Sequence, residues 1–76
     1  MINLRDEKVL KKFGNHVKQL RIQAGLTQAN LANDMNIEIS QLSRIERGLV
    51  NTSLCTIVRL AKTLNVPPST LLEVEF

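Results

Sequence analysis

Apolar residues recur at three- and four-residue steps along this chain, and never more than two stand side by side. Such spacing gives each helix one apolar face and leaves no alternation for a strand. It also excludes a membrane-spanning helix and the apolar run of a signal peptide. With 76 residues, the helices have to share one marginal core. The chain is therefore read as all-α, a single domain over 1–76, with 1–5 a flexible N-terminal tail and 73–76 a C-terminal tail.

The helices are delimited by their caps. Val9 or Leu10, Phe13, Val17, Leu20 and Ala24 form one face of a helix over about 7–24, with Asp6 as its N-cap and Gly25 after its last turn. Thr27 caps a second, short helix with Leu31, Ala32 and Met35 inward. Asn36 ends it, because Asn tolerates the left-handed conformation of a tight exit, and Ile37 plugs the core from the turn. A third helix covers about 39–47, with Leu42 and Ile45 inward and Gly48 as its stop. Residues 49–52 are a loop. Ser53 caps a fourth helix whose apolar positions are Leu54, Ile57, Val58, Leu60, Ala61 and Leu64. Pro67 and Pro68 suit the start of a last short helix carrying Leu71 and Leu72. A compact five-helix bundle with short connections follows.

Charge narrows the partner. Ten Lys+Arg against seven Asp+Glu leave a net +3. Arg5, Lys8, Lys11, Lys12, Lys18 and Arg21 crowd the beginning, and Arg44, Arg47, Arg59 and Lys62 follow. Between Lys8 and Lys62 the only acids are Asp34, Glu38 and Glu46. A solvated helix face accounts for Lys8, Lys11, Lys12 and Lys18 as well as attraction to a polyanion does. The two aromatics, Phe13 and Phe76, are too few for a single-strand stacking platform. The lone Cys55 forms no internal disulfide, and no Cys/His cluster exists to hold zinc. We therefore expect a cytoplasmic protein without metal or other cofactor, with Cys55 as a small core filler and His16 at the surface. An enzyme is excluded by the lack of a glycine-rich phosphate loop, of usefully spaced carboxylates and of a base close in sequence to Cys55.

The segment from Gly25 to Gly48 reads as two short helices joined by a tight turn. With Gln28 as the first position, the fifth is Ala32, small enough for close helix approach. The ninth is Asn36, which makes the turn, and the fifteenth and eighteenth are Leu42 and Ile45, which seat the second helix. This is a helix-turn-helix, in which the second helix enters the major groove and the first crosses the backbone. The chain resembles the lambda-repressor-like, Xre-type helix-turn-helix domains of phage repressors and small bacterial regulators. The resemblance covers about 13–72 and rests on Leu20-Arg21, Gly25-Leu26-Thr27-Gln28, Leu31-Ala32, Leu42 through Gly48 and Leu60 through Val66. Asn36 stands where the family usually has Gly, and Thr52 where it often has Pro.

The resemblance implies a sequence-specific regulator of double-stranded DNA. Ser40, Gln41 and Arg44 are expected at base edges, with Ile39 and Glu38 at the margin; each suits phosphate or water as well. Gln28 is implied as a phosphate contact that also buttresses the reading helix. Ser43 and Arg47 are read as backbone contacts, and Asn51 as a phosphate contact or a plain turn residue. Arg21 and Glu46 are implied as an ion pair between the first and third helices.

One such domain touches too little DNA to select a site in a genome, so a two-fold homodimer on a palindrome is expected. Leu71, Leu72, Val74 and Phe76 are the candidate surface, with Ile57 and Val58 contributing. The alternative is that this tail folds back over its own core. A second reading is a protein-interaction module, such as an antitoxin or adaptor component, whose main partner is a toxin or another regulator.

Overall fold

The computed structural model describes residues 5–76, and the remaining part of the expected N-terminal tail, 1–4, lies outside the described residues. The elements are α1 (Glu7–Gln23), α2 (Gln28–Met35), α3 (Ile39–Glu46), α4 (Leu54–Leu64) and a 3-10 helix (Pro68–Leu72). The expected fifth helix is thus a 3-10 turn: the Thr70 N–H donates to the Pro67 carbonyl at 2.9 Å and Glu73 to Thr70 at 3.3 Å, both three residues back. So short a segment does not nucleate an α-helix by itself.

Three helix starts follow from their caps. Asp6 Oδ1 accepts from the Lys8 and Val9 N–H groups at 3.0 and 3.4 Å. Thr27 Oγ1 accepts from the Asn30 N–H at 3.0 Å while Asn30 Oδ1 accepts from the Thr27 N–H at 3.2 Å. Ser53 Oγ accepts from the Thr56 N–H at 3.2 Å. Each cap satisfies donors that a helix leaves open at its first turn. Asn36 and Asn65, both at φ 58°, end α2 and α4 in the left-handed conformation.

The core joins α1 (Phe13, Val17), α2 (Leu31, Ala32, Met35), α3 (Leu42, Ile45), α4 (Leu60, Ala61, Leu64) and Leu71 of the 3-10 helix. Leu10, not Val9, is the buried member of its pair, and Ala24 is exposed. Cys55 is not a core filler: it is exposed, because it falls on the side of α4 that carries Arg59 and Lys62, away from Leu60, Ala61 and Leu64. His16 is half-buried, and its Nε2 donates to the Thr70 carbonyl at 2.6 Å, which ties the 3-10 helix to α1. Arg5 is anchored, its Nη2 donating to the Leu49 carbonyl at 2.9 Å.

Two glycines set how closely α1 lies against the end of α3. A Cβ on Gly14 would sit 2.3 Å from the Ile45 carbonyl oxygen and 2.7 Å from that of Glu46. A Cβ on Gly48, at φ 71°, would sit 2.6 Å from Lys11 Cα. Neither approach leaves room for a side chain. Among the described residues, no helix is long and apolar enough to cross a membrane.

Candidate nucleic-acid interface

The α2–turn–α3 unit presents α3 with two unlike sides. Leu42 and Ile45 point into the core. Ile39, Ser40, Gln41, Arg44 and Arg47 are exposed, as is Glu38 just before the helix, and Ser43 is half-buried. The residues expected at base edges therefore share the outward side and the N-terminal end of one short helix. That helix is eight residues long, well matched to the width of a major groove.

The inner polar cluster holds α3 at its other end. Arg21 Nε donates to Glu46 Oε2 at 2.7 Å and Nη2 to Oε1 at 3.2 Å, a fork-to-fork pair. Its Nη1 donates to the Leu26 carbonyl at 2.8 Å, so α1 also grips the entry to α2. Gln28 Nε2 donates to Glu46 Oε1 at 2.9 Å. The two ionic side chains keep only 10% and 3% of their surface, so the pair is largely shielded from water. This bond links the first turn of α2 to the last turn of α3.

Other side chains are partly committed. Arg47 Nε donates to Ser43 Oγ at 3.2 Å and to the Ser43 carbonyl at 3.4 Å, pairing the two expected backbone contacts on one turn. Gln41 Oε1 accepts from the Glu38 N–H at 3.0 Å. Asn51 is exposed in the loop leaving α3. Together with Gln41, Arg44, Ile45, Val50 and Thr56 it lines a groove of mixed character between α3 and the start of α4. Thr52 Oγ1, in that loop, is buried without a hydrogen-bond partner.

The expected dimer surface divides. Leu71 is fully buried and has no surface to offer a second copy, because the 3-10 turn directs it into the core. Leu72 and Phe76 remain 52% and 50% exposed. Ile57, Val58 and Val74 are half-buried. The tail lies back along α1: Lys12 Nζ donates to the main-chain oxygens of Glu75 and Phe76 at 3.1 and 3.3 Å. Phe76 and Leu72 line a groove with Val9, Leu10, Phe13 and Ile57. Among the described residues Leu54, at 73%, is the most exposed large apolar side chain, against the expectation that it sits on the inward face of its helix. Leu54 shares one helix face with Ile57, Val58 and Leu64, so the helical period carried no signal of its exposure.

A helix-turn-helix family model matches residues 17–71. The control protein C.BamHI of Bacillus amyloliquefaciens is 37% identical over 62 residues, which is 80% of this chain and 76% of that protein. The restriction-modification controller protein C.AhdI of Aeromonas hydrophila superposes with a TM-score of 0.81 at 38% identity, over 84% of this chain and 97% of that one. The controller protein C.Esp1396I, solved as a tetramer with its natural 35 base-pair operator, gives a TM-score of 0.80 at 28% identity over 90% of each chain.

Proposed function

The chain belongs to the helix-turn-helix family, and on that premise we propose that it is a sequence-specific transcriptional regulator of double-stranded DNA. It binds a palindromic operator as a homodimer, with α3 in the major groove and repression by occupancy as its simplest action. The observation that carries this reading is the division of α3, fixed to the core on one side and polar and exposed on the other. The operator-bound assembly of the relative C.Esp1396I supports it.

Ser40, Gln41 and Arg44 face the bases, with Ile39 and Glu38 at the edge of the contact. Arg suits the two acceptors of guanine. Ser43 and Arg47 act as one unit on a phosphate, and Asn51 takes another from the groove beside α3. Gln28 adds its contact from the first turn of α2, where open N–H groups and the helix dipole favour an anion. The second copy packs against surface drawn from Leu72, Val74, Phe76, Ile57 and Val58. A dimer brings two α3 helices about one DNA turn apart, which doubles the sequence read.

The test is selection from a randomised duplex pool at ~150 mM salt, where non-specific phosphate binding is weak. An enriched palindrome with half-site centres about ten base pairs apart is the expected result. Binding to every duplex alike, lost as salt rises, would overturn the assignment.

A further inference from the structure

The N-terminal end of α3 carries two consecutive side chains that contact with phosphate does not explain. Between Asp34 and Glu73 the only acids are Glu38 and Glu46, and Glu46 is buried in its cluster with Arg21 and Gln28. Glu38 is exposed at the cap position of α3. Phosphate repels an anion, so on DNA its partners are the base-edge donors of the major groove, cytosine N4 and adenine N6. The helix dipole favours an acid at this end, which accounts for Glu38 but not for its neighbour. Ile39 is 49% exposed and lies outside the set of half-buried apolar side chains packed against the core. The apolar feature that a base edge offers in the major groove is a methyl group at C5 of a pyrimidine.

We infer that Glu38 and Ile39 together read the edge of one cytosine, and bind it more tightly when it carries a methyl group at C5. The inference rests on the DNA-reading function proposed above. Cytosine places its N4 donor and C5 side by side on one edge, as the chain places a carboxylate and an alkyl side chain on adjacent residues. Adenine N6 is flanked by two acceptors, its own N7 and O4 of the paired thymine, and both repel a carboxylate. Thymine offers the methyl but sets O4 where cytosine has N4. The order of preference is therefore 5-methylcytosine, then cytosine, then thymine. An ionised carboxylate has about four lone-pair sites, so a bond to the first turn of its own helix leaves acceptors for the base.

Selection from the randomised duplex pool with the wild-type and Glu38→Ala chains identifies the half-site position that depends on Glu38. The full chain is then titrated against that palindrome with the cytosine unmodified, methylated at C5 in both half-sites, or replaced by thymine. The methyl group should tighten wild-type binding about threefold per half-site. Thymine should weaken it about tenfold. Ile39→Ala should lose the methyl gain, keep the preference for cytosine over thymine, and melt at the wild-type temperature. Glu38→Ala should lose that preference and keep the methyl gain. A Glu38-dependent position that is an A·T pair would overturn the inference and leave the proposed function standing. So would a palindrome in which no position responds to Glu38→Ala, equal or weaker binding to the methylated duplex, or a methyl gain that survives in Ile39→Ala. Absence of any enriched site would overturn both.

Discussion

The two sides of α3 differ in how their polar groups are satisfied. On the inner side, Glu46 receives three hydrogen bonds from Arg21 and Gln28 within 3.2 Å, and two glycines bring α1 against the helix end. On the outer side, Ser40 and Arg44 are exposed, and the bonds within reach are local, Gln41 to Glu38 and Arg47 to Ser43. A rigid inner side fixes where the outer one stands, so the ordering cost of DNA recognition is met in folding. The outer groups then exchange water for DNA with few protein bonds to break. Substitutions on the two sides should therefore fail in different ways.

The largest effect is expected at Glu46. Glu46→Ala leaves the Arg21 guanidinium buried without its carboxylate and Gln28 without its acceptor. Removing one partner of a buried pair costs about 3 kcal/mol, more than the pair itself contributes. For a domain of this size that is a fall of roughly 15 °C in melting temperature. An unchanged melting temperature would show that the inner cluster does not hold α3, and the contrast between the two sides would collapse.

Gly14→Ala breaks the same side by shape instead of charge. The new methyl would meet two backbone carbonyl oxygens at 2.3 and 2.7 Å, and neither is the movable end of a side chain. Overpacking costs about 3 kcal/mol, while Ala gains about 1 kcal/mol over Gly in helix propensity. A net loss of about 2 kcal/mol is expected in denaturant unfolding, since the gain offsets part of the clash. A more stable variant would mean that α1 and α3 separate at little cost.

Legibility in the sequence followed the range of each interaction. Asp6, Thr27, Asn36 and Ser53 act within a few residues of themselves, and all four helix boundaries they predicted are observed. The Arg21–Glu46 pair spans 25 residues, and only the family resemblance pointed to it. Gly14 went unread because a mid-helix glycine carries its reason on another helix, here the end of α3. Leu71 and Leu72 are adjacent, and which one faces inward depends on a three-residue turn instead of the α-helical 3.6. Leu54 obeys the helical period, but the core ends before it reaches that turn, whereas Cys55 falls on the outward side of α4 with Arg59 and Lys62. Gln41's bond to the Glu38 backbone was local and open to sequence reading as a return from the third helical position. Its appeal as a base reader hid it.

Arg44→Ala sharpens the comparison from the outer side. Arg44 is exposed, so folding stability should change by no more than about 0.5 kcal/mol. Operator affinity should fall by about 1–2 kcal/mol, roughly five- to thirtyfold, and discrimination at one base position should relax. If instead affinity for all duplexes falls alike and the salt dependence becomes shallower, Arg44 contacts phosphate. Those two outcomes separate base reading from positioning within the same face.

The smallest effect is expected at Thr52, in the loop that leads from α3 to α4. Its Oγ1 is buried with no partner, so the folded chain carries an unmet polar group. Thr52→Val replaces the hydroxyl by a methyl of similar size and removes that penalty, which should stabilise the fold by up to about 1 kcal/mol. The sign is what matters, because most substitutions in a small domain destabilise. A rise in melting temperature with unchanged operator affinity assigns the hydroxyl to neither side of α3. A rise accompanied by weaker binding would mean that the loop shifts on DNA and brings Thr52 to a phosphate. The outer face would then extend into the loop, and only the inner cluster would be settled before DNA arrives.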